Sequence, residues 1–193
     1  VLWAARREPP VRIRRWGEDG ATVARAALAD TSLAATLAGK TGPASLTAEM
    51  TVRRPDGAVV LTRKSVADAK GLEPVATVVA VSGHAHQPNK FPTTPIFGIQ
   101  KVLEKAGWSI GDVDLFEVNE AFACVAMFAM RDLGIPHEKI NVHGGATALG
   151  HPIGASGARI VTTLIAALQR HGKKKGVASL CIGGGEATAV AVE

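Results

Sequence analysis

Beyond residue 62 the apolar residues recur with periods that switch between two and nearly four. Residues 75–81 form a β-branched run, which predicts a buried strand. Ile99, Val102, Leu103 and Ala106 recur at i, i+3, i+4 and i+7, which predicts a helix over 95–106 with Pro95 in its first turn and Gly107 as its stop. Residues 115–118 read as a short strand, and 120–133 as an apolar helix ending at Gly134. Residues 155–170 place Ile160, Leu164, Ala167 and Leu168 on one side of a further helix. A shorter helix over 64–70 stops at Gly71, and 140–143 is a short extended piece. Two closing strands, 177–182 and 187–192, flank a tight turn at 183–186, so they are expected to pair antiparallel. Strands alternating with helices predict an α/β fold whose sheet is covered on both faces.

Residues 1–61 lack this order. They are rich in Ala, Arg and Gly, and Arg6-Arg7, Arg14-Arg15 and Arg53-Arg54 interrupt any apolar face, so no core is assigned there. The expected division is a poorly patterned 1–61 and an ordered domain over 62–193. A hydrophobic fraction of 47% is ample for a core, but aromatics supply only 4% and Tyr is absent. That core must come from Ala, Val, Leu and Ile, which favours thin, closely packed layers. The formal charge of +5 fits either a mildly basic soluble protein or one that handles an anionic ligand. No nucleic-acid module is recognisable, so a phosphate-bearing small molecule is the favoured partner. Cys124 and Cys181 lie far apart without a CxxC pattern, which argues against a disulfide framework or zinc ribbon and for a reducing, cytoplasmic compartment. The longest apolar run, 121–130, is too short to span a bilayer, so no membrane role is expected.

Two stretches carry candidate chemistry. One sets His151 among Gly144, Gly145, Gly150, Gly154 and Gly157, with Pro152 after it and a helix start beyond. A loop histidine needs no such backbone freedom, and a helix amino end favours negative charge, so His151 reads as catalytic. The other is Cys181-Ile182-Gly183-Gly184-Gly185. Cys181 reads either as a small buried hydrophobe or as a thiol beside a turn whose N–H groups could form an oxyanion site. Asn119, between a strand and a helix, reads either as an N-cap or as an amide held at a strand's carboxyl end. Cys124 reads as core packing. His84 and His86 form an HxH pair, but no carboxylate or cysteine stands near at ligand spacing, so no metal is expected. The glycines around His151 fit neither GxxxxGK[ST] nor GxGxxG.

Asn119-Glu120-Ala121-Phe122, Gly150-His151-Pro152-Ile153-Gly154 and Cys181-Ile182-Gly183-Gly184-Gly185, in this order and spacing, resemble the thiolase family of acetyl-CoA acetyltransferases. The likeness runs nearly gap-free from about 61 to 193 and looks like the C-terminal half of a thiolase. It implies a mixed five-stranded sheet between helices, packed against a similar N-terminal domain with the active site between them. It also implies a reversible ping-pong Claisen condensation of two acyl-CoA molecules, or thiolysis of a 3-ketoacyl-CoA. Coenzyme A thioesters would be substrates, with no permanently bound cofactor, and the intact relative would be a homo-oligomer. By the same resemblance His151 activates a nucleophilic cysteine, Cys181 is the acid/base at the substrate α-carbon, Asn119 holds a water in one oxyanion hole, and the Gly183 N–H contributes to a second.

The sequence also departs from the family. The acylated cysteine of thiolases lies in a Cys-Ser-Gly-type stretch of the N-terminal domain, and this sequence has no counterpart. Residues 1–61 keep only Asp30-Thr31-Ser32-Leu33 and Asp56-Gly57-Ala58 of the family pattern, and Thr51-Val52-Arg53-Arg54-Pro55 replaces the Asn/Ser-rich stretch that helps hold coenzyme A in relatives. A shifted frame or truncated gene would produce this pattern, leaving a chain that is inactive alone. The alternatives are a non-catalytic thiolase-like fragment and a ketoacyl synthase-like condensing enzyme. Cys181, where the latter carries a second histidine, argues against it. Asn119 argues against the sterol-carrier thiolase type, which carries His-Asp-Cys-Phe in this block.

Overall fold

Residues 49–52, 59–69, 71 and 74–193 are described in a computed structural model. Two strands, β1 (Glu49–Val52) and β2 (Val59–Thr62), pair antiparallel, an element the weak patterning before residue 62 did not signal. A short helix, α1 (Lys64–Ala69), follows, with Gly71 beyond it in the left-handed region. The family-like remnants at 30–33 and 56–58 lie outside the described residues, as do Arg53, Arg54 and Pro55.

The main sheet contains β3 (Val78–Ala85), β4 (Leu115–Val118), β5 (Gly176–Ile182) and β6 (Glu186–Val192) in the order β3-β6-β5-β4. β6 runs antiparallel to both of its neighbours, and β4 and β5 are parallel. Its helices are α2 (Thr94–Ala106), α3 (Ala123–Leu133), α4 (Ala146–Leu149) and α5 (Ile153–Arg170). Side chains alternate along the strands, so each face has its own core. Phe116, Val118, Val177, Cys181, Ala189 and Ala191 join Ile99, Val102, Leu103 and Val125 of α2 and α3. Leu115, Ala178 and Val192 join Ile160, Leu164 and Leu168 of α5.

The expected thin layers are visible where α2 crosses the sheet: a Cβ on Gly98 would lie 3.5 Å from Ala187 and 3.7 Å from Ala189. Gly107 ends α2 at φ 68°, where its own N–H and that of Trp108 reach back to the last turn, a helix stop that glycine allows without strain.

Four expectations are corrected. Among the described residues the main sheet has four strands, not five. Beyond β4 there is only a single parallel bridge between Phe116 and Ile140. Asn141 then closes that edge: its N–H donates to the Phe116 carbonyl at 2.9 Å, its Oδ1 accepts from the Val118 N–H at 2.8 Å, and its Nδ2 donates to the Val118 carbonyl at 2.9 Å. Asn141 holds φ 48°, a left-handed conformation that asparagine tolerates better than most residues. Second, β3 starts at Val78 rather than 75 and extends to Ala85, because the ladder with β6 sets its length and carries it through His84. Third, α3 starts at Ala123 rather than 120. Fourth, α5 starts at Ile153 rather than 155.

Candidate active site

Parallel strands bring their carboxyl ends together, and open α/β sheets hold ligands just beyond such ends. β4 and β5 are the parallel pair here. Asn119 follows β4 directly, and its N–H donates to the Ser179 carbonyl of β5 at 2.9 Å. It is fully buried and caps no helix, because the N-cap position of α3 belongs to Phe122. The N-cap alternative is thereby excluded. Its side chain turns toward α5.

His151 sits between α4 and α5, after Gly150 at φ 90° and before Pro152. Asn119 Nδ2 lies 3.4 Å from each ring nitrogen. That is longer than an ordinary hydrogen bond, so the amide stays available to a third group. His151 Nδ1 is 2.6 Å from Ser156 Oγ, and that hydroxyl also donates to the Pro152 carbonyl at 3.2 Å. A serine has one proton to give. With it on Pro152, the imidazole carries its own proton on Nδ1 and offers Nε2 as a base.

Cys181 is the next-to-last residue of β5, two positions beyond Ser179 and on the face opposite Asn119. It is buried, and no hydrogen bond joins it to Asn119 or His151. Burial pushes its thiol pKa up, and Cys124 adds to the rise, so the sulfur keeps its proton at neutral pH. Gly183 begins the exposed turn between β5 and β6. The structure thus brings Asn119 and His151 together, and sets Cys181 and Gly183 at the same end of the sheet on the adjacent strand.

Three charged residues, to which the sequence reading gave no role, surround Asn119. Glu117, in the middle of β4, is 1% exposed, and its Oε2 accepts from Arg159 Nη1 at 3.2 Å. Arg159 Nη2 donates to Asn119 Oδ1 at 3.1 Å. Burial outweighs the attraction of Arg159 and, with Glu120 nearby, pushes the Glu117 carboxyl up to about 7. Glu120 accepts from Asn141 Nδ2 at 3.0 Å and from the Thr147 N–H at 2.9 Å, tying the end of β4 to the segment that leads into His151. Burial raises its pKa, but these bonds outweigh that and hold it below the ordinary carboxylate value. A Cβ on Gly145 would collide with this carboxylate. The available signal was a lone charge within the apolar run Leu-Phe-Glu-Val, which requires a buried partner.

The HxH pair belongs to a packing cluster. His84 stacks on Phe97 with ring centroids 4.6 Å apart, its Nδ1 is 3.0 Å from Lys101 Nζ, and His86 Nε2 is 2.9 Å from the Lys90 carbonyl. Among the described residues, no group of three or more His, Cys, Asp and Glu side chains is gathered to hold a metal ion, and no helix is long and apolar enough to cross a membrane. Cys124, read as core packing, lies in the first turn of α3 and is only partly buried. Two apolar residues that flank His151 in the chain face solvent: Leu149 is exposed and Ile153 is 85% exposed.

The family model of the thiolase C-terminal domain matches residues 72–193. The cytosolic acetyl-CoA acetyltransferase of Rattus norvegicus is 49% identical over 136 residues, which are 70% of this chain and 34% of that protein. The acetyl-CoA acetyltransferase of Allochromatium vinosum is 51% identical over 140 residues, 72% of this chain and 36% of that protein. Among solved structures, acetyl-CoA acetyltransferase of Bacillus anthracis superposes with a TM-score of 0.68 at 38% identity, covering 83% of this chain and 42% of that one. A thiolase from Ascaris suum in complex with coenzyme A gives 0.66 at 39% identity, covering 72% and 36%. The chain therefore spans about a third of the length of the curated relatives it matches.

Proposed function

The chain belongs to the thiolase family, and from that premise we propose that it is the C-terminal catalytic part of an acyl-CoA C-acyltransferase, which makes or cleaves 3-ketoacyl-CoA. The observation that carries this reading is the placement of Asn119 Nδ2 against the His151 ring at the carboxyl end of the parallel pair β4–β5. A base and an amide donor set side by side serve acyl transfer, which removes a proton and builds negative charge on a carbonyl oxygen.

His151 Nε2 takes the proton of a cysteine thiol on the N-terminal domain. That thiolate adds to the thioester carbonyl, coenzyme A leaves with the proton returned by His151, and an acyl-enzyme remains. Asn119 Nδ2, through a held water, and His151 stabilise the oxygen that gains charge in the condensation half. The Gly183 N–H does the same for the acyl-enzyme. Cys181 exchanges a proton with the substrate α-carbon. A protonated, desolvated thiol is ready for the acid direction, delivering its proton to the enolate carbon when a 3-ketoacyl-CoA is cleaved.

The nucleophile must come from an N-terminal thiolase domain, and the exposed apolar side chains of Leu149 and Ile153 beside His151 suit such a partner. Homo-oligomerisation of the complete enzyme and a cytoplasmic location, the compartment named for the rat relative, complete the reading.

The test is thiolysis of acetoacetyl-CoA by this chain with and without an N-terminal thiolase half supplied in trans. Turnover is expected only from the pair. His151→Ala and Cys181→Ala should each lower kcat by roughly 10³-fold or more. Turnover by the chain alone, or either variant within about tenfold of the parent, overturns the assignment.

A further inference from the structure

An asparagine side chain has two faces of opposite character: its oxygen only accepts and its nitrogen only donates. An amide that holds an oxyanion-site water serves best with the nitrogen toward it, because the water then accepts from the amide and keeps both of its own protons to donate. Rotation by half a turn would make the water spend one proton on the amide oxygen and leave it a poorer donor to the developing charge. Something must therefore hold the amide one way round.

The structure assigns that task to Arg159, braced by Glu117: we propose that this pair is a positioning device that locks Asn119 with its donor toward the reaction. The proposal rests on the thiolase reading above. Arg159 has donors only, so the Asn119 oxygen, 3.1 Å from Nη2, must face it. Nδ2 is then left facing His151 at 3.4 Å. The other prong, Nη1, is anchored on Glu117 Oε2 at 3.2 Å. Glu117 on β4 and Asn119 just past its end are alternate residues on the same side of the chain, roughly 7 Å apart along the strand direction. A planar two-pronged guanidinium spans two such acceptors, whereas an ammonium presents a single point charge.

The arrangement is costly as mere structure. Glu117 is buried with Oε1 lacking any partner, and buried ion pairs often contribute less than well-packed apolar residues of similar size. Holding the amide gives that cost a purpose. The positive charge next to the amide oxygen also polarises the Nδ2–H bonds and strengthens them as donors.

The test uses this chain complemented by an N-terminal thiolase half, comparing Arg159→Met, Arg159→Lys, Asn119→Ala and the double variant Arg159→Met/Asn119→Ala. Arg159→Met is expected to lower kcat about 10- to 100-fold with KM within about threefold, since the lost interaction acts in the transition state. Arg159→Lys should recover little, because it keeps the charge but not the fork. With Asn119 already removed, Arg159→Met should cost almost nothing more, because the residue works through that amide. A role in stability alone predicts the same loss in both backgrounds. Should Arg159→Met fold poorly, nuclear Overhauser contacts between the Asn119 side-chain amide protons and the His151 ring in the unmodified chain, and their loss in Arg159→Lys, give a second reading. Asn119→Ala and His151→Ala at parental rates would bring down the thiolase reading, and this proposal with it. Loss of turnover in those two beside a parental kcat in Arg159→Met, or equal losses in both backgrounds, overturns the positioning role alone.

Discussion

At the amino end of the β4–β5 pair, Asp114 accepts from the N–H groups of Lys174 and Lys175 at 3.0 and 2.9 Å, and Lys139 Nζ donates to the Val113 carbonyl at 2.9 Å. Close by, a Cβ on Gly176 would stand 2.9 Å from both Leu164 and Leu168. At the carboxyl end the same strands hold a buried carboxyl oxygen with no partner, an amide and an imidazole at 3.4 Å, and apolar side chains facing outward. The first end is closed, with its backbone groups answered locally and its side chains tightly fitted. The second keeps donors and acceptors unspent. His84 Nε2 on β3 is also buried without a partner, so what sets the carboxyl end apart is the gathering of several such open groups in one place.

Substitutions at the two ends should separate stability from turnover. Gly176→Ala overfills the closed end and should lower unfolding free energy by about 1–3 kcal/mol, read by chemical denaturation, with kcat of the complemented enzyme unchanged. A loss of kcat without loss of stability would break the contrast. Asp114→Ala leaves two backbone N–H groups without their acceptor and should cost about 1–2 kcal/mol, again with normal turnover.

Glu117→Gln sharpens the contrast through pH. The folded carboxyl titrates near 7 and the unfolded one near 4.5, so the folded state holds the proton more tightly between those values. Stability from this group is therefore greatest below the lower value, and it falls as pH rises through the window. Glu117→Gln should flatten that fall in denaturation midpoints, and an unchanged slope would show that another group causes it. The smallest effect on stability belongs to Ile153→Ser, within about 0.5 kcal/mol because the side chain is already in solvent. Sedimentation should show less self-association of the isolated chain, and no change there would argue against the exposed apolar residues beside His151 as a contact surface.

Much of this was legible in the chain, for reasons that differ by element. β4 was placed at its observed bounds because four buried residues flanked by polar ones leave little choice. α2 was nearly as clear, with its left-handed glycine at the end. β3 was misplaced because Val75 and Ala76 are apolar for packing against the α5 core, whereas the ladder with β6 runs on through Gly83 and His84. The start of α3 was misjudged because Glu120, a good helix former, spends its carboxylate on Asn141 and Thr147 instead. Among the candidate residues, His151 and Cys181 stand out in the sequence through residue type and glycine context, and Asn119 through its place between a strand and a helix. Arg159 did not, since its partners lie 40 and 42 residues away in sequence, and only folding brings the helix face over the strand.

The carboxamide of Asn141 imitates one rung of a ladder, giving Val118 both the acceptor and the donor that a neighbouring strand would have supplied. A sheet border finished in this way offers a foreign peptide no row of waiting amides to zip onto. Copies of this chain that meet through their greasy surfaces are thereby steered away from β-extension along this border, and toward contacts that can be undone.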